Sequence, residues 1–274
     1  MGRKQYWNSE AKNRRWIKDG RGTGTGSSYI PWLTVRDAPS EGRSHRVFGH
    51  LTQRTHQLLS DLELATFLLL QWRPSTTDIR EQFPLDRDLT REIGERLGIA
   101  HPSHQGVDQY MSSDFVVDST EAYNPRFVIQ VKSKAALEKS RTIEKLQIER
   151  SYWQEKEVPF YLVTESQIPP VVFENLNTLY HHIDDKAEQD ELMLYFEVFN
   201  SQILSHDELR IIDFCVQLDS AYGHEKGESL YQLKRLLAQR YFHFDISKPF
   251  TDLRCSDLIA ESGKTLKEVW SVSS

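Results

Sequence analysis

The segment from Ser60 to Trp72 constrains the fold more than any other part of the chain. Its sequence, SDLELATFLLLQW, predicts a helix that is apolar on nearly every face. Such a helix must be buried, because no face of it is suited to water. The chain must therefore place other elements around this helix. With 274 residues, of which 38% are hydrophobic, it is long enough for a layered domain and a second domain.

The elements that surround this helix are predicted to form a mixed sheet. Short runs rich in β-branched and aromatic residues predict strands at 77–83, 111–118, 126–132 and 160–164. Helical patterns at 88–97 and 137–155 lie between them. Asn124 and Pro125 predict a turn, so that the two central strands should form an antiparallel hairpin. The predicted fold class is α/β, a mixed sheet with flanking helices.

Pro169 and Pro170 indicate a linker at 165–170, which separates predicted domains at 1–165 and 166–274. The second domain is predicted to be mostly helical, with helices at 172–183, 187–204, 207–222 and 229–240. Alternating residues at 241–246 predict a strand after the last helix. Helices followed by a strand and a loop predict a small winged-helix-like domain.

Charge is distributed unevenly along the chain. The formal net charge of −6 by itself argues against a nucleic-acid partner. However, residues 1–60 carry 11 basic and 4 acidic side chains, whereas residues 166–274 carry 10 basic and 18 acidic ones. Basic residues interleaved with Tyr6, Trp7 and Trp16 suit a phosphate backbone, although basic arms without this role also exist. The residues predicted to contact DNA are Arg14, Arg15, Lys18, Arg43 and Arg46.

Several other classes of site are disfavoured. The glycine-rich segment 20–28 lacks the Lys-Ser/Thr ending of a nucleotide-binding loop, so we predict a pliable connector. Neither zinc-ligand spacing nor a serine-hydrolase elbow is present in the sequence. No apolar run approaches the roughly 18 residues of a membrane span. Two cysteines, Cys215 and Cys255, favour a reducing compartment, and we expect a cytoplasmic protein.

Polar side chains at the predicted hairpin form the candidate catalytic site. Gln130 and Lys132 should point the same way from one strand, about 7 Å apart at their Cα atoms. The neighbouring strand presents Asp114, and the buried helix contributes Glu63. Their oxygens, with the backbone carbonyl of Val131, are hard ligands suited to one or two Mg²⁺ ions. Lys132 could hold the attacking water or the charge that develops on phosphorus, so the set predicts phosphodiester hydrolysis.

Each of these residues also has a purely structural interpretation. Ser60 and Glu63 have the spacing of a capping box, so Glu63 could simply cap its helix. Asp114 could begin a turn or pair with an arginine, and Lys132 could lie along a strand edge with its amine in water. A glutamine at position 130, where an acid is common, weakens the generic pattern. The residues alone leave these alternatives open.

The segments that carry these residues resemble the TnsA family, the endonuclease subunits of heteromeric cut-and-paste transposons. The resemblance covers most of the first 165 residues and continues more weakly to the C terminus. The segments are IKDGRGTGTGSSYIPWLTVRDAPSEGRSHRVFGH (17–50), LLSDLELATFLLLQW (58–72), DIREQFPL (78–85), GVDQYMSSDFVVD (106–118) and IQVK (129–132).

The resemblance implies a restriction-endonuclease-like domain that cuts the 5′ ends of a transposon with Mg²⁺, for which Mn²⁺ can substitute. The implied catalytic residues are Glu63, Asp114, Gln130 and Lys132, with Gln130 as the family's own choice. The metal ligands predicted from the residues themselves are Glu63, Asp114, Gln130 and Val131. The implied partners are transposon-end DNA, the DDE-type transposase TnsB, which cuts and joins the 3′ ends, and the ATP-dependent regulator TnsC, which engages the C-terminal region.

Two other functions stay open at this point. One is a stand-alone restriction or junction-resolving nuclease, which would cut DNA efficiently without partners. The other is a non-catalytic DNA-binding adaptor with a degenerate nuclease fold. The intact set of two acids and Lys132 favours an enzyme over the adaptor.

Overall fold

A computed structural model describes residues 8–37, 43–183 and 189–261. The chain divides into two compact units, Met1–Ile168 and Pro169–Ser274. The break falls beside the two prolines that predicted a linker. The predicted linker itself is not irregular, because Glu165–Gln167 form a short 3₁₀ helix and the next α-helix begins at Pro170.

The first unit contains a long run of alternating helices and strands. In chain order its described elements are α1 (Glu10–Lys18), β1 (His45–Gly49), β2 (Arg54–Leu58), α2 (Asp61–Trp72), β3 (Thr76–Pro84), α3 (Arg87–Leu97), β4 (Ser103–His104), β5 (Val107–Asp108), β6 (Ser112–Ser119), β7 (Arg126–Val131), α4 (Lys134–Leu137), α5 (Ser140–Glu155) and β8 (Phe160–Val163). The apolar segment forms α2, as predicted. The predicted helix 137–155 is divided into α4 and α5.

The central sheet has the strand order β3-β6-β7-β8. Strand β6 is antiparallel to both β3 and β7, and β8 runs parallel to β7. Helices α3 and α5 contribute Ile93, Ile148 and Trp153 to one hydrophobic core with Val116 and Val128 of the sheet. Helix α2 contacts β3 and β7 and buries Phe67 and Leu68. The prediction of a mixed sheet with flanking helices is confirmed.

The β1–β2 hairpin was not predicted, because its sequence looks too polar for a buried strand. Its two strands pair from His45 opposite Leu58 to Gly49 opposite Arg54. Arg54 and His56 point inward and bind the buried carboxylate of Glu81 on β3. Burial of these polar residues is therefore stabilised by ion pairing, a signal that hydrophobic patterning does not carry.

The structure adds one finding in the N-terminal region and corrects one prediction there. Trp16 is 1% exposed and packs edge-on against Trp32, so this aromatic residue belongs to the core. The glycine-rich segment is not a separate connector, because Gly26 N–H donates to Asp78 and its carbonyl accepts from Arg54. Tyr6 and Trp7 lie outside the described residues.

The second unit is mostly helical, as predicted. Its described elements are α6 (Pro170–Tyr180), α7 (Gln189–Ile203), α8 (Ile211–Tyr222), α9 (Glu228–Ala238), β9 (Phe242–His243) and β10 (Ile259–Ala260). The predicted strand at 241–246 is only two residues long and pairs with β10. Cys215 and Cys255 are buried free thiols. None of the helices in the described ranges is long and apolar enough to cross a membrane.

Candidate active site

Helix α2 holds Glu63 in its first turn. The Glu63 N–H donates to Ser60 Oγ at 3.1 Å, and Ser60 Oγ donates to Glu63 Oε1 at 3.1 Å. Leu59 N–H donates to Glu63 Oε2 at 2.9 Å. The capping role that the spacing suggested is therefore real. The same carboxylate also faces the sheet, where Gln82 Nε2 lies 3.3 Å from Oε2. Glu63 thus belongs both to the helix cap and to a polar cluster that also contains Gln82, Asp114, Gln130 and Lys132.

Asp114 and Gln130 meet where β6 and β7 diverge. The last paired residues at this end are Phe115 and Ile129. Beyond this pair, backbone N–H groups bind side-chain oxygens of the other strand and not backbone carbonyls. Asp114 N–H donates to Gln130 Oε1 at 2.8 Å, and Val131 N–H donates to Asp114 Oδ2 at 2.8 Å. Asp114 therefore neither begins a turn nor pairs with an arginine. Its carboxylate is fixed between the strands.

Lys132 follows directly after β7 and turns back toward Asp114. Its Nζ lies 3.2 Å from Asp114 Oδ2 and donates to the Val131 carbonyl at 2.8 Å. Burial lowers the pKa of Lys132, but nearby carboxylates, Asp114 foremost, outweigh this effect and raise the pKa above its ordinary value. Lys132 is thus a charged donor inside the cluster, not a strand-edge lysine with its amine in water.

Buried carboxyl groups are concentrated at this cluster. Burial, together with repulsion from Asp114, raises the pKa of Glu63. Burial also raises the pKa of Glu149 on α5 to about 8. Glu149 accepts a hydrogen bond from Ser113 Oγ at 2.7 Å, and the same hydroxyl accepts one from Trp153 Nε1 at 2.8 Å. Excess buried carboxylate in one place is a feature that a bound cation would relieve.

A cavity of about 340 Å³ opens beside this cluster. Asp114, Gln130 and Lys132 line it on the sheet side, and Lys145 and Glu149 line it from α5. Lys145 also lines a second cavity, and Arg141 is part of the lining of that cavity. The sequence-predicted residues Glu63, Asp114, Gln130, Val131 and Lys132 therefore come together, and three of them face a space that could admit a substrate.

Sequence reasoning missed three residues of this site. Glu149 and Lys145 lie four residues apart on α5, so they share one helix face, and that spacing was a usable signal. Gln82 lies near the C-terminal end of β3, and nothing in the sequence pattern distinguishes it. Its position depends on a backbone conformation that the residue type does not predict.

The residues predicted to contact DNA are exposed. Arg14, Arg15 and Lys18 are exposed on α1, and Arg46 is exposed on β1. Arg43 is exposed and lies 3.8 Å from Asp61 at the start of α2. Within the described ranges, no hydrogen bond or ion pair links these five cations to the acids.

The donor set fits a hard divalent cation that retains water ligands. No group of three or more His, Cys, Asp or Glu side chains is arranged to hold a metal ion in the described parts of the chain. A cation here would therefore use the Glu63 and Asp114 carboxylates with neutral oxygens from Gln130 and Val131. Two carboxylates completed by carbonyl oxygens and water are typical of Mg²⁺ and poorly suited to zinc.

The mixed sheet with flanking helices has the architecture of the restriction-endonuclease-like class. Two family models match the chain, "TnsA-like endonuclease N terminal" over residues 73–165 and "TnsA endonuclease C terminal" over residues 167–246. Asp114, Gln130 and Lys132 lie inside the first match, and Glu63 precedes it.

The chain is also similar to a curated protein of known role. It is 45% identical over 261 residues to the Transposon Tn7 transposition protein TnsA of Escherichia coli, covering 95% of each chain. The chain therefore belongs to the TnsA endonuclease family and is a transposition endonuclease.

Proposed function

We propose that this endonuclease hydrolyses phosphodiester bonds at the 5′ ends of a transposon and that it requires Mg²⁺. The observation that carries the proposal is the convergence of Glu63, Asp114 and Lys132 beside a cavity of about 340 Å³. Two carboxylates and a lysine at diverging strands supply what phosphodiester hydrolysis needs, namely a site for a divalent cation and a positive charge near phosphorus.

In this proposal each residue of the cluster has a separate role. Glu63 and Asp114 hold the cation, with the Gln130 side-chain oxygen and the Val131 carbonyl as neutral ligands. When bound, Mg²⁺ supplies charge stabilisation to the attacking and leaving oxygens. Lys132 is oriented by Asp114 and the Val131 carbonyl, and it donates its remaining protons to the attacking water or to the phosphoryl oxygens.

We propose that exposed cations outside the cluster hold the DNA backbone. Arg14, Arg15 and Lys18 present three charges from one short helix, Arg43 precedes β1 and Arg46 lies on it. Phosphate contacts of this kind position a duplex without reading its sequence. They would deliver the scissile phosphate to the cavity, where the chemistry takes place.

We propose that the protein acts within a transposition complex rather than alone. Its relative is named as a transposition protein of Tn7. In the proposed complex TnsB, a DDE-type transposase, cuts and joins the 3′ ends, and TnsC, an ATP-dependent regulator, binds the acidic second unit. Residues 166–274 carry 18 acidic and 10 basic side chains, and this acidic balance suits a protein partner better than DNA.

The test is a cleavage assay on labelled transposon-end DNA with and without the two partner proteins. We expect Mg²⁺-dependent nicks at the 5′ ends only when the partners are present. Equally efficient cutting by the isolated protein would instead support a stand-alone nuclease. Assembly of the complex without any 5′ nick, under conditions where the 3′ ends are cut, would support a non-catalytic adaptor.

A further inference from the structure

Gln82 connects the two acids of the candidate site. Its side-chain Nε2 lies 3.3 Å from Glu63 Oε2 and 3.5 Å from Asp114 Oδ1. Gln82 is 2% exposed, so water does not satisfy its amide. A single neutral amide thus spans the carboxylates of a helix and of a neighbouring strand.

The backbone at Gln82 is unusual for its residue type. Its φ is 49°, in the left-handed region that non-glycine residues rarely adopt. Four other non-glycine residues in the described ranges share this conformation, and none of them is buried: Gln53, Gln105, Glu157 and Arg240. A conformation of this kind is strained and persists only where the surroundings impose it.

The strand register shows what this conformation achieves. Glu81 pairs with Phe115 and Phe83 pairs with Ser113, which places Gln82 across from Asp114. Pairing of β3 with β6 continues on both sides, so the deviation is local to this residue. It brings the amide into the space between Asp114 and α2 without ending the sheet.

The orientation of the amide is fixed from its other end. Ser112 Oγ donates to Gln82 Oε1 at 3.3 Å. With the oxygen engaged by Ser112, the NH₂ group faces the two carboxylates. The backbone carbonyl of Gln82 accepts a hydrogen bond from Trp32 N–H at 3.2 Å, which holds the backbone of the strained residue.

We propose that Gln82 is a positioning residue that holds the Glu63 and Asp114 carboxylates in the orientation required to bind a divalent cation. This inference rests on the proposed function. A neutral amide suits the role because it donates to both acids without cancelling their charge. A lysine or arginine in the same place would neutralise the pair and compete with the cation.

The experiment measures cation binding by the full-length protein without DNA, so that it does not depend on activity. Binding of Mn²⁺ is followed by calorimetry for the wild type, Gln82→Met and Gln82→Gly. Methionine keeps the length of the side chain without its donors. Glycine removes the side chain and also relieves the left-handed backbone. We expect both variants to bind Mn²⁺ about 10–100-fold more weakly, as for the loss of groups that orient metal ligands.

Thermal unfolding separates positioning from folding. We expect Gln82→Gly to melt at or above the wild-type temperature while it binds Mn²⁺ weakly, a combination that loss of structure cannot produce. The matched control is Gln105→Gly, which relieves the same backbone conformation at an exposed turn and should leave Mn²⁺ binding unchanged.

The outcomes distinguish this inference from the proposed function. If wild type binds Mn²⁺ and Asp114→Ala does not, but both Gln82 variants bind like wild type, the positioning role is wrong and the metal site stands. If wild type and Asp114→Ala bind Mn²⁺ equally, the metal site itself is wrong, and the role of Gln82 is overturned with it.

Discussion

Lys132 Nζ lies 3.2 Å from Asp114 Oδ2, which links the end of β7 to the middle of the candidate site. The same amine donates to the Val131 carbonyl, so its position is set by two oxygens and not by one flexible ion pair. A lysine held in this way is already oriented before substrate binds. Such preorganisation is the main source of electrostatic stabilisation in hydrolytic sites.

We therefore predict that Lys132→Met slows single-turnover cleavage by roughly 10²–10³-fold, the usual cost of losing one preorganised donor. Cleavage at 5′ ends is measured with saturating DNA and Mg²⁺ in the assembled complex. Lys139→Met, which removes an exposed cation beside α5, serves as the control and should cut at the wild-type rate. A Lys132→Met variant that cuts normally would exclude a role for the amine.

Lys145 is predicted to bind a phosphate next to the scissile bond. It lines both the site cavity and the adjoining cavity, and among the described residues it makes no hydrogen bond or ion pair with another side chain. Lys145→Ala should weaken DNA binding and reduce the slope of log affinity against log salt by about one. The matched control is Arg150→Ala, an exposed cation of the same helix that lines neither cavity. Equal slopes for the two variants would contradict the prediction.

The three exposed cations of α1 are predicted to make additive phosphate contacts. Changing Arg14, Arg15 and Lys18 together to alanine should reduce the salt slope of DNA binding by roughly three. Substitution is a better test than deletion of the N-terminal residues, since deletion would also remove Trp16 from the core. Fluorescence anisotropy at several salt concentrations measures the slope. An unchanged slope would show that α1 does not contact DNA.

The buried Glu81 network makes stability depend on pH. Burial would raise the pKa of Glu81, but His56 and Arg54 outweigh it and lower the pKa to about 2. Since the folded-state pKa lies below the ordinary value of 4.5, this stabilisation is complete above pH 4.5 and is lost as the pH falls toward 2. We expect the free energy of unfolding, measured with urea, to fall more steeply between pH 5 and pH 3 for the wild type than for Glu81→Gln.

At pH 7 Glu81→Gln should lower the free energy of unfolding by about 3–5 kcal/mol, because it leaves the buried Arg54 guanidinium without its anion. Glu95→Gln, at an exposed position of α3, is the control and should unfold like the wild type at every pH. If the free energy of unfolding changed with pH in the same way for the wild type and Glu81→Gln, Glu81 would not be the group that makes stability depend on pH.

Much of the first unit could be predicted because its signals are local. The apolar run that forms α2, the β-branched runs of β6 and β7, and Gly98 at the end of α3 each predict structure from neighbouring residues alone. The acids, Gln130 and Lys132 were found because strand alternation and helix burial fix where side chains point.

The remainder could not be predicted because it depends on distant partners. The β1–β2 hairpin is polar, and its inward residues are stabilised by Glu81 from another strand. Trp16 lies among basic residues in the sequence, but in the structure it packs against Trp32 in the core. Gln82 gains its role only through a left-handed backbone, which no sequence pattern indicated.

The most direct test of the central claim is 5′-end cleavage by Asp114→Ala in the assembled transposition complex with Mg²⁺. Asp114 contacts Val131 and Lys132 and lies within reach of Gln82, so its loss should remove the cation and release the lysine together. We predict that 5′ nicking disappears while the complex still assembles and the 3′ ends are still cut. Asp88→Ala, at an exposed position of α3, should cut normally. Undiminished Mg²⁺-dependent nicking by Asp114→Ala would contradict the assignment of this cluster as the active site.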